Sequence, residues 1–204
     1  MKTRAIKRYM RLAYFIGTDD NPCYSRKIGA VITTEDGSRI LGTGYNGPPP
    51  GTPHTVELNY VTEFLYPKLT DEDKRSLVSQ FEASYYKLRG NELSDYNLYM
   101  LLRDNPQCPR KLLDIPSGQR NNLCTCGHAE RHAVTNAACD LRNAVMFCWC
   151  GVPCAQCADT IIQSGIKTVH CLNEGEYDQG VKWLFKQANV TIYEHDKLDF
   201  LKDG

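Results

Sequence analysis

Two short segments hold the side chains that could do chemistry together, Cys126-Gly127-His128-Ala129-Glu130 and Pro153-Cys154-Ala155-Gln156-Cys157. An imidazole and a Cys-x-x-Cys pair are zinc ligands by type, and a zinc that works in catalysis commonly takes three protein ligands and keeps a fourth position for water. His128, Cys154 and Cys157 are the candidates for that set. Two thiolates and a neutral imidazole cancel the charge of Zn²⁺, which still acidifies a bound water from a pKa near 16 toward about 7. Glu130, two residues past the histidine, is the carboxylate placed to carry protons to and from such a water without binding the metal. A structural zinc, or two core cysteines beside a helix-capping histidine, is the plainer reading of a lone Cys-x-x-Cys. The histidine and glutamate upstream argue for the catalytic one.

These groups need elements that bring them together. Pro153 suits the first turn of a helix, because its φ is preset and its missing N–H would have had no partner. Cys154 and Cys157 then stand at i and i+3 on one face, where the positive end of the helix favours thiolates. After His-Ala-Glu a helix should run to about residue 139, followed by a strand over 144–148 and the Pro-Cys helix to 164, closed by Gly165. A strand over 167–172, a helix over 177–187 and a short strand over 190–193 complete this half. Helix alternating with strand implies parallel pairing through right-handed crossovers. The N-terminal half starts with an amphipathic helix over 3–16 and an antiparallel hairpin, 28–34 and 39–45, turned at Glu35-Asp36-Gly37. The fold class is α/β: one mixed five-stranded sheet with helices on both faces. The hairpin empties into Gly44-Tyr45-Asn46-Gly47-Pro48-Pro49-Pro50-Gly51, where Asn46 either forms the turn or approaches a ligand.

With 204 residues the chain suits a single domain, 1–204. Its 24 basic and 24 acidic residues balance, which argues against a nucleic-acid or membrane surface and for a small substrate. No long apolar run marks residues 1–25 as a secretory signal or a membrane span. The ten cysteines read as reduced thiols of a cytoplasmic protein, several of them metal ligands. Residues 52 to about 122 break the strand and helix rhythm. Thr70 can cap a helix with Leu77, Val78, Phe81, Tyr85 and Leu88 on one stripe, ending near Gly90, and a shorter helix fits 95–102. This is a helical insertion, at about 56–107, whose stripes need the main core to cover them. Tyr85, Tyr86, Tyr96 and Tyr99 read as packing residues.

His-x-Glu with Pro-Cys-x-x-Cys is the signature of zinc nucleobase deaminases. Together with Ser25-Arg26-Lys27-Ile28-Gly29-Ala30-Val31, Gly44-Tyr45-Asn46-Gly47, Pro116-Ser117-Gly118 and Ile161-Ile162-Gln163-Ser164-Gly165-Ile166, it makes the chain resemble the deoxycytidylate deaminases of the cytidine deaminase superfamily. The resemblance implies a cytidine deaminase-like α/β/α sandwich and hydrolysis of dCMP to dUMP and ammonia, feeding thymidylate synthesis. It gives His128, Cys154 and Cys157 to the zinc and Glu130 to proton transfer. It gives Asn46 to the sugar and Ser25, Arg26 or Lys27 to the 5′-phosphate. It also implies a homohexamer activated by dCTP and inhibited by dTTP, with Mg²⁺ accompanying the triphosphate at a regulatory site that includes Gly44, Tyr45, Asn46 and Gly47. A second, structural zinc is implied at Cys23, His54, Cys108 and Cys124.

The chain departs from the family's pattern at several places. Thr55 stands where a ligand cysteine is usual after His54, and Cys126 could substitute for it. His132 stands where the family usually has asparagine, and is expected as a packed or capping side chain. Cys150 stands where threonine or another small polar residue is common. The long insertion leaves room for dCTP as a further substrate. A deaminase of another nucleobase would share the whole zinc site, although the balanced charge argues against RNA. A nucleotide sensor that does not turn its ligand over would have no use for Glu130.

Overall fold

A computed structural model describes residues 2–19, 21–82, 93–116 and 118–201. The helices along the chain are α1 (Thr3–Thr18), α2 (Asp71–Glu82), α3 (Asp95–Asp104), α4 (Pro109–Leu112), α5 (Ala129–Asn136), α6 (Ala155–Gln163), α7 (Val181–Gln187) and α8 (Leu198–Leu201). The strands are β1 (Gly29–Thr33), β2 (Ile40–Tyr45), β3 (Val145–Cys148), β4 (Thr168–Leu172) and β5 (Thr191–His195). Two compact units result, one from Met1–Asn21, Arg26–Gly47 and Gly127–Gly204, the other from Pro22–Ser25 and Pro48–Cys126.

The first unit holds the sheet, ordered β2-β1-β3-β4-β5. β1 runs antiparallel to β2 and β3, whereas β3, β4 and β5 are parallel, so the sheet is mixed and five-stranded as expected. Every residue of β1 and β3 is buried, the mark of strands covered on both faces. Ala30, Ile32, Met146 and Cys148 pack in one layer with Ala129, Ala133, Ile161 and Phe185 of α5, α6 and α7. The alternate residues Val31, Val145 and Phe147 pack in the opposite layer with Tyr9, Met10 and Ala13 of α1 and with Phe200 of α8. Period-two alternation therefore divides each central strand between two cores.

Glycines set how closely the helices approach this sheet. A Cβ on Gly29 would lie 2.2 Å from the Ala13 carbonyl oxygen, and one on Gly44 would lie 2.2 Å from that of Ala129. α1 thus presses directly on β1, and α5 on β2.

The element bounds differ from the sequence expectations in ways with local causes. α7 starts at Val181 because Gly180 takes a left-handed φ of 87° just before it, leaving Tyr177 and Asp178 in the preceding loop. α5 stops at Asn136, well short of residue 139. β5 extends to His195 because its pairing with Leu172 carries the ladder to the end of β4.

The second unit has a core of its own. Tyr60, Val61, Leu65, Leu77, Leu98, Leu101, Leu102, Leu112 and Leu123 form one buried cluster, so the stripes of the insertion cover one another. A π-helical turn at Tyr60–Leu65 supplies part of that cluster where the sequence showed no helical period. Thr70 caps α2 as expected: its hydroxyl accepts from the Asp73 N–H at 3.1 Å, and Asp73 returns a bond to the Thr70 N–H at 2.8 Å. The expected continuation of this helix through Tyr85, Tyr86 and Leu88 to Gly90 lies outside the described residues. No helix among the described residues is long and apolar enough to cross a membrane.

Candidate active site

His128 is the residue before the first turn of α5, and Glu130 lies inside that turn. Cys154 occupies the corresponding place before α6, and Cys157 lies one turn in. Pro153 therefore precedes the helix rather than forming its first turn. Cys154 has extended backbone, φ −65° and ψ 166°, the usual state of a residue at the N-cap of a helix. The Ala155 N–H at this end donates to Asp178 Oδ2 at 2.8 Å, which fixes the cysteine turn from the loop before α7. Sequence spacing gave no sign of Asp178, because the contact depends on the crossover that returns the chain to α6.

The two helix starts bring the three expected ligands together. His128 Nδ1 lies 3.3 Å from both Cys154 Sγ and Cys157 Sγ, and the three ligand atoms all fall within 4.8 Å of one another. Tetrahedral zinc with Zn–S of about 2.3 Å and Zn–N of about 2.0 Å would hold N and S roughly 3.5 Å apart. The donor set therefore fits zinc in both chemistry and spacing. Hydrogen bonding from Cys157, assisted by His128, draws the Cys154 thiol down to about 4, and the same contact raises Cys157. The bond to Cys154, opposed by burial and aided by Glu130, raises His128.

Glu130 is 4% exposed, and burial raises its pKa above the ordinary carboxylate range. Cys150, on the bend between β3 and α6, approaches Glu130 Oε1 with its sulfur at 3.6 Å. Cys148 stands behind it, and Glu130, Cys148 and Cys150 form a second group of close ligand-type atoms. Contact with Cys148, burial and the charge of Glu130, to which the thiol donates, together hold Cys150 in the thiol form.

The end of the hairpin secures the start of α5. Asn46 is buried, and its Oδ1 accepts the Ala129 N–H at 2.8 Å. Gly47 and Gly127 exchange backbone hydrogen bonds at 3.3 and 2.7 Å. His132 Nδ1 lies 2.9 Å from the Tyr45 carbonyl oxygen, so this histidine is a packing and fastening residue, as expected. Lys27 donates its ammonium to the Asn21 carbonyl, and the Arg26 guanidinium lies 5.0 Å over the Tyr177 ring. Ser25 belongs to the second unit, where its carbonyl accepts from Lys111 at 3.1 Å. Tyr45 is exposed, at the end of β2 beside Gly44.

Cys23, His54, Cys108 and Cys124 all belong to the second unit. Cys124 hydrogen-bonds to Cys108 and Cys126, and Cys126 to Cys23, so the sulfurs form a chain in which Cys126 joins the expected set. Donation from Cys108 and Cys126 lowers the Cys124 pKa and raises theirs. Backbone N–H groups of Ser25 and Cys126 point at Cys23 and Cys124 Sγ, each at 3.4 Å. His54 keeps Nδ1 3.3 Å from the Thr55 hydroxyl, and its ring meets that of Tyr24 at 5.0 Å, tilted by 59°. Among the described residues, these side chains do not form a compact group of the kind made by His128, Cys154 and Cys157.

Residues 3–173 match the family described as the cytidine and deoxycytidylate deaminase zinc-binding region. Deoxycytidylate deaminase of Enterobacteria phage T2 is 25% identical over 195 residues, covering 94% of this chain and 92% of the phage protein. The Saccharomyces cerevisiae deoxycytidylate deaminase is 27% identical over 189 residues, spanning 90% of this chain and 42% of the yeast protein. Among solved structures, the dCMP deaminase of cyanophage S-TIM5 in its apo form shares the fold with a TM-score of 0.54 at 20% identity, over 96% of this chain and 100% of the other. With both zinc segments inside the matched region and their ligand atoms converging on one point, this chain belongs to the cytidine and deoxycytidylate deaminase family.

Proposed function

We propose that the chain hydrolyses dCMP to dUMP and ammonia. The observation that carries this reading is the convergence of His128 Nδ1 and the sulfurs of Cys154 and Cys157 beside the buried carboxylate of Glu130. The choice of dCMP is supported by the phage and yeast relatives named for that substrate and by Gly44-Tyr45-Asn46-Gly47. A cyanophage relative of the same fold has been solved in complex with dCMP and dUMP.

His128, Cys154 and Cys157 would hold the zinc, which when bound supplies a Lewis acid that makes water a nucleophile at neutral pH. Glu130 takes a proton from the attacking water on its carboxylate and hands it to N3 of the cytosine as the C4–O bond forms; it then takes the remaining proton from the C4 hydroxyl and delivers it to the amine, so that C4=O forms as the C4–N bond breaks and ammonia leaves. Its burial suits both halves of this task, since a raised pKa brings the acid and base forms closer in energy near neutrality. Asn46 contributes twice in this reading. Its Oδ1 fixes the start of α5, and its amide N–H₂ addresses the sugar. Ser25, Arg26 or Lys27 would address the 5′-phosphate, for which fixed donors are the suitable chemistry.

The same reading makes the enzyme a cytoplasmic homohexamer that serves thymidylate synthesis, activated by dCTP with Mg²⁺ and inhibited by dTTP through the loop of Gly44, Tyr45, Asn46 and Gly47. It assigns a structural zinc to Cys23, Cys108 and Cys124, completed by His54 or Cys126, on the support of the sulfur chain in the second unit. Ammonia release from dCMP, dCTP, deoxycytidine and CMP, with and without dCTP or dTTP and Mg²⁺, tests the reaction and its control. No turnover of dCMP by zinc-loaded protein refutes the reaction, and a saturation curve unmoved by either triphosphate refutes the regulation. Metal analysis should give two zinc ions per chain, falling to one in Cys124→Ser; one in the native protein refutes the second site.

A further inference from the structure

We infer that Cys150 is a positioning residue for Glu130: its thiol donates to Oε1 and holds the carboxylate in the orientation that proton transfer requires. The inference rests on the proton-carrier reading of Glu130 and goes beyond it, because Cys150 is not expected to touch substrate or metal.

The geometry has three parts. The Cys150 sulfur lies 3.6 Å from Glu130 Oε1, within the range of a thiol hydrogen bond. Glu130 is 4% exposed, so water gives its carboxylate little of the support that an exposed acid would have. Cys148, fully buried at the end of β3, keeps its sulfur within 4.8 Å of both the Cys150 sulfur and a Glu130 carboxylate oxygen.

The placement of Cys150 in the chain adds to the argument. It lies on the short bend from β3 to Cys154, whereas Glu130 lies on α5 beside His128. One hydrogen bond thus ties the carboxylate to the segment that carries the two thiolate ligands. A glutamate has three rotatable bonds, and an error of about 1 Å in a catalytic group can cost about a hundredfold in rate. A hydroxyl at position 150 would do the same work as the thiol, so serine should substitute and alanine should not.

The test compares Cys150→Ala and Cys150→Ser with the native enzyme for kcat and KM on dCMP, zinc content and thermal midpoint, with Glu130→Gln alongside. Cys150→Ala should lose about tenfold or more in kcat with KM changed by less than about twofold, as expected when a transition-state interaction is lost. Zinc content should be unchanged, and Cys150→Ser should recover kcat to within about threefold of native. Native kcat in Cys150→Ala, or Cys150→Ser as impaired as alanine, overturns the inference while an inactive Glu130→Gln leaves the proton-carrier reading standing. Turnover in Glu130→Gln overturns both. Should Cys150→Ala lose zinc or fail to fold, the serine variant decides: full recovery supports a donor role, and none refutes it.

Discussion

Gly44→Ala probes how the sheet fixes the position of Glu130, the proposed proton carrier. Gly44 lies in β2 under α5, where a Cβ would sit 2.2 Å from the Ala129 carbonyl oxygen and 2.4 Å from the Ala133 nitrogen. Both are helix backbone atoms and neither can rotate away. Ordinary contact begins at 3.4 Å, so α5 would have to retreat by about 1.2 Å. Such a shift would open the 2.8 Å bond from Ala129 N–H to Asn46 Oδ1 and carry His128 away from the two sulfurs. Overpacking costs about 1–3 kcal/mol and an orphaned buried amide about as much again, so a loss of ~4 kcal/mol is expected. Gly44 does not take a left-handed backbone, so alanine is otherwise acceptable there and would add roughly 0.4–1 kcal/mol through the unfolded chain. Gly175→Ala is the control: it has open space but φ of 83°, and should lose only about 1 kcal/mol. Urea unfolding followed by circular dichroism, with zinc retention against a chelator, measures both effects. A Gly44→Ala protein of native stability that keeps its zinc would refute the close-approach argument.

His170 is 3% exposed, stacks on Phe147 and Tyr193, and meets His195 at 2.8 Å. Burial, aided by His195, lowers its pKa from 6.5 to about 4, so the unfolded chain takes up the proton first. Stability from this group should be complete above about pH 6.5 and fall by up to about 3 kcal/mol as the pH drops toward 4; a His170→Gln variant with an unchanged pH slope in urea midpoints would contradict it. Asp73 joins the cap of α2 to Arg120 through two bonds of 2.7 Å, and Asp73→Asn should weaken α2 by about 1–2 kcal/mol, seen as faster amide exchange there and not in α5. Removing zinc with a chelator should abolish turnover and lower the thermal midpoint, with both restored by added zinc; activity that survives complete removal would refute a catalytic metal.

The ligand types, their order and the elements that carry them were legible in the sequence, because each depends on local spacing. Cys-x-x-Cys spans one turn of helix, Thr70 and Asp73 form a cap within four residues, and the β-rich run over residues 28–34 marks a strand. The mixed sheet followed from the order of hairpin and crossovers. What the sequence could not supply depends on pairs far apart in the chain. The 3.3 Å approach of His128 to both sulfurs and that of the Cys150 thiol to Glu130 arise only when β3, α5 and α6 meet, and the capping of α6 by Asp178 only when the loop before α7 reaches it. The same holds for the glycines of β2: a strand glycine reads as weak propensity in one dimension, and only the packed helix above Gly44 turns its missing side chain into a requirement. The insertion shows the limit of periodicity most directly. The expectation that the main core would cover its stripes was not met: Leu77, Leu98 and Leu102 pack with Tyr60, Leu112 and Leu123 in a cluster of their own, since an apolar face has no partner until the other helices are in place.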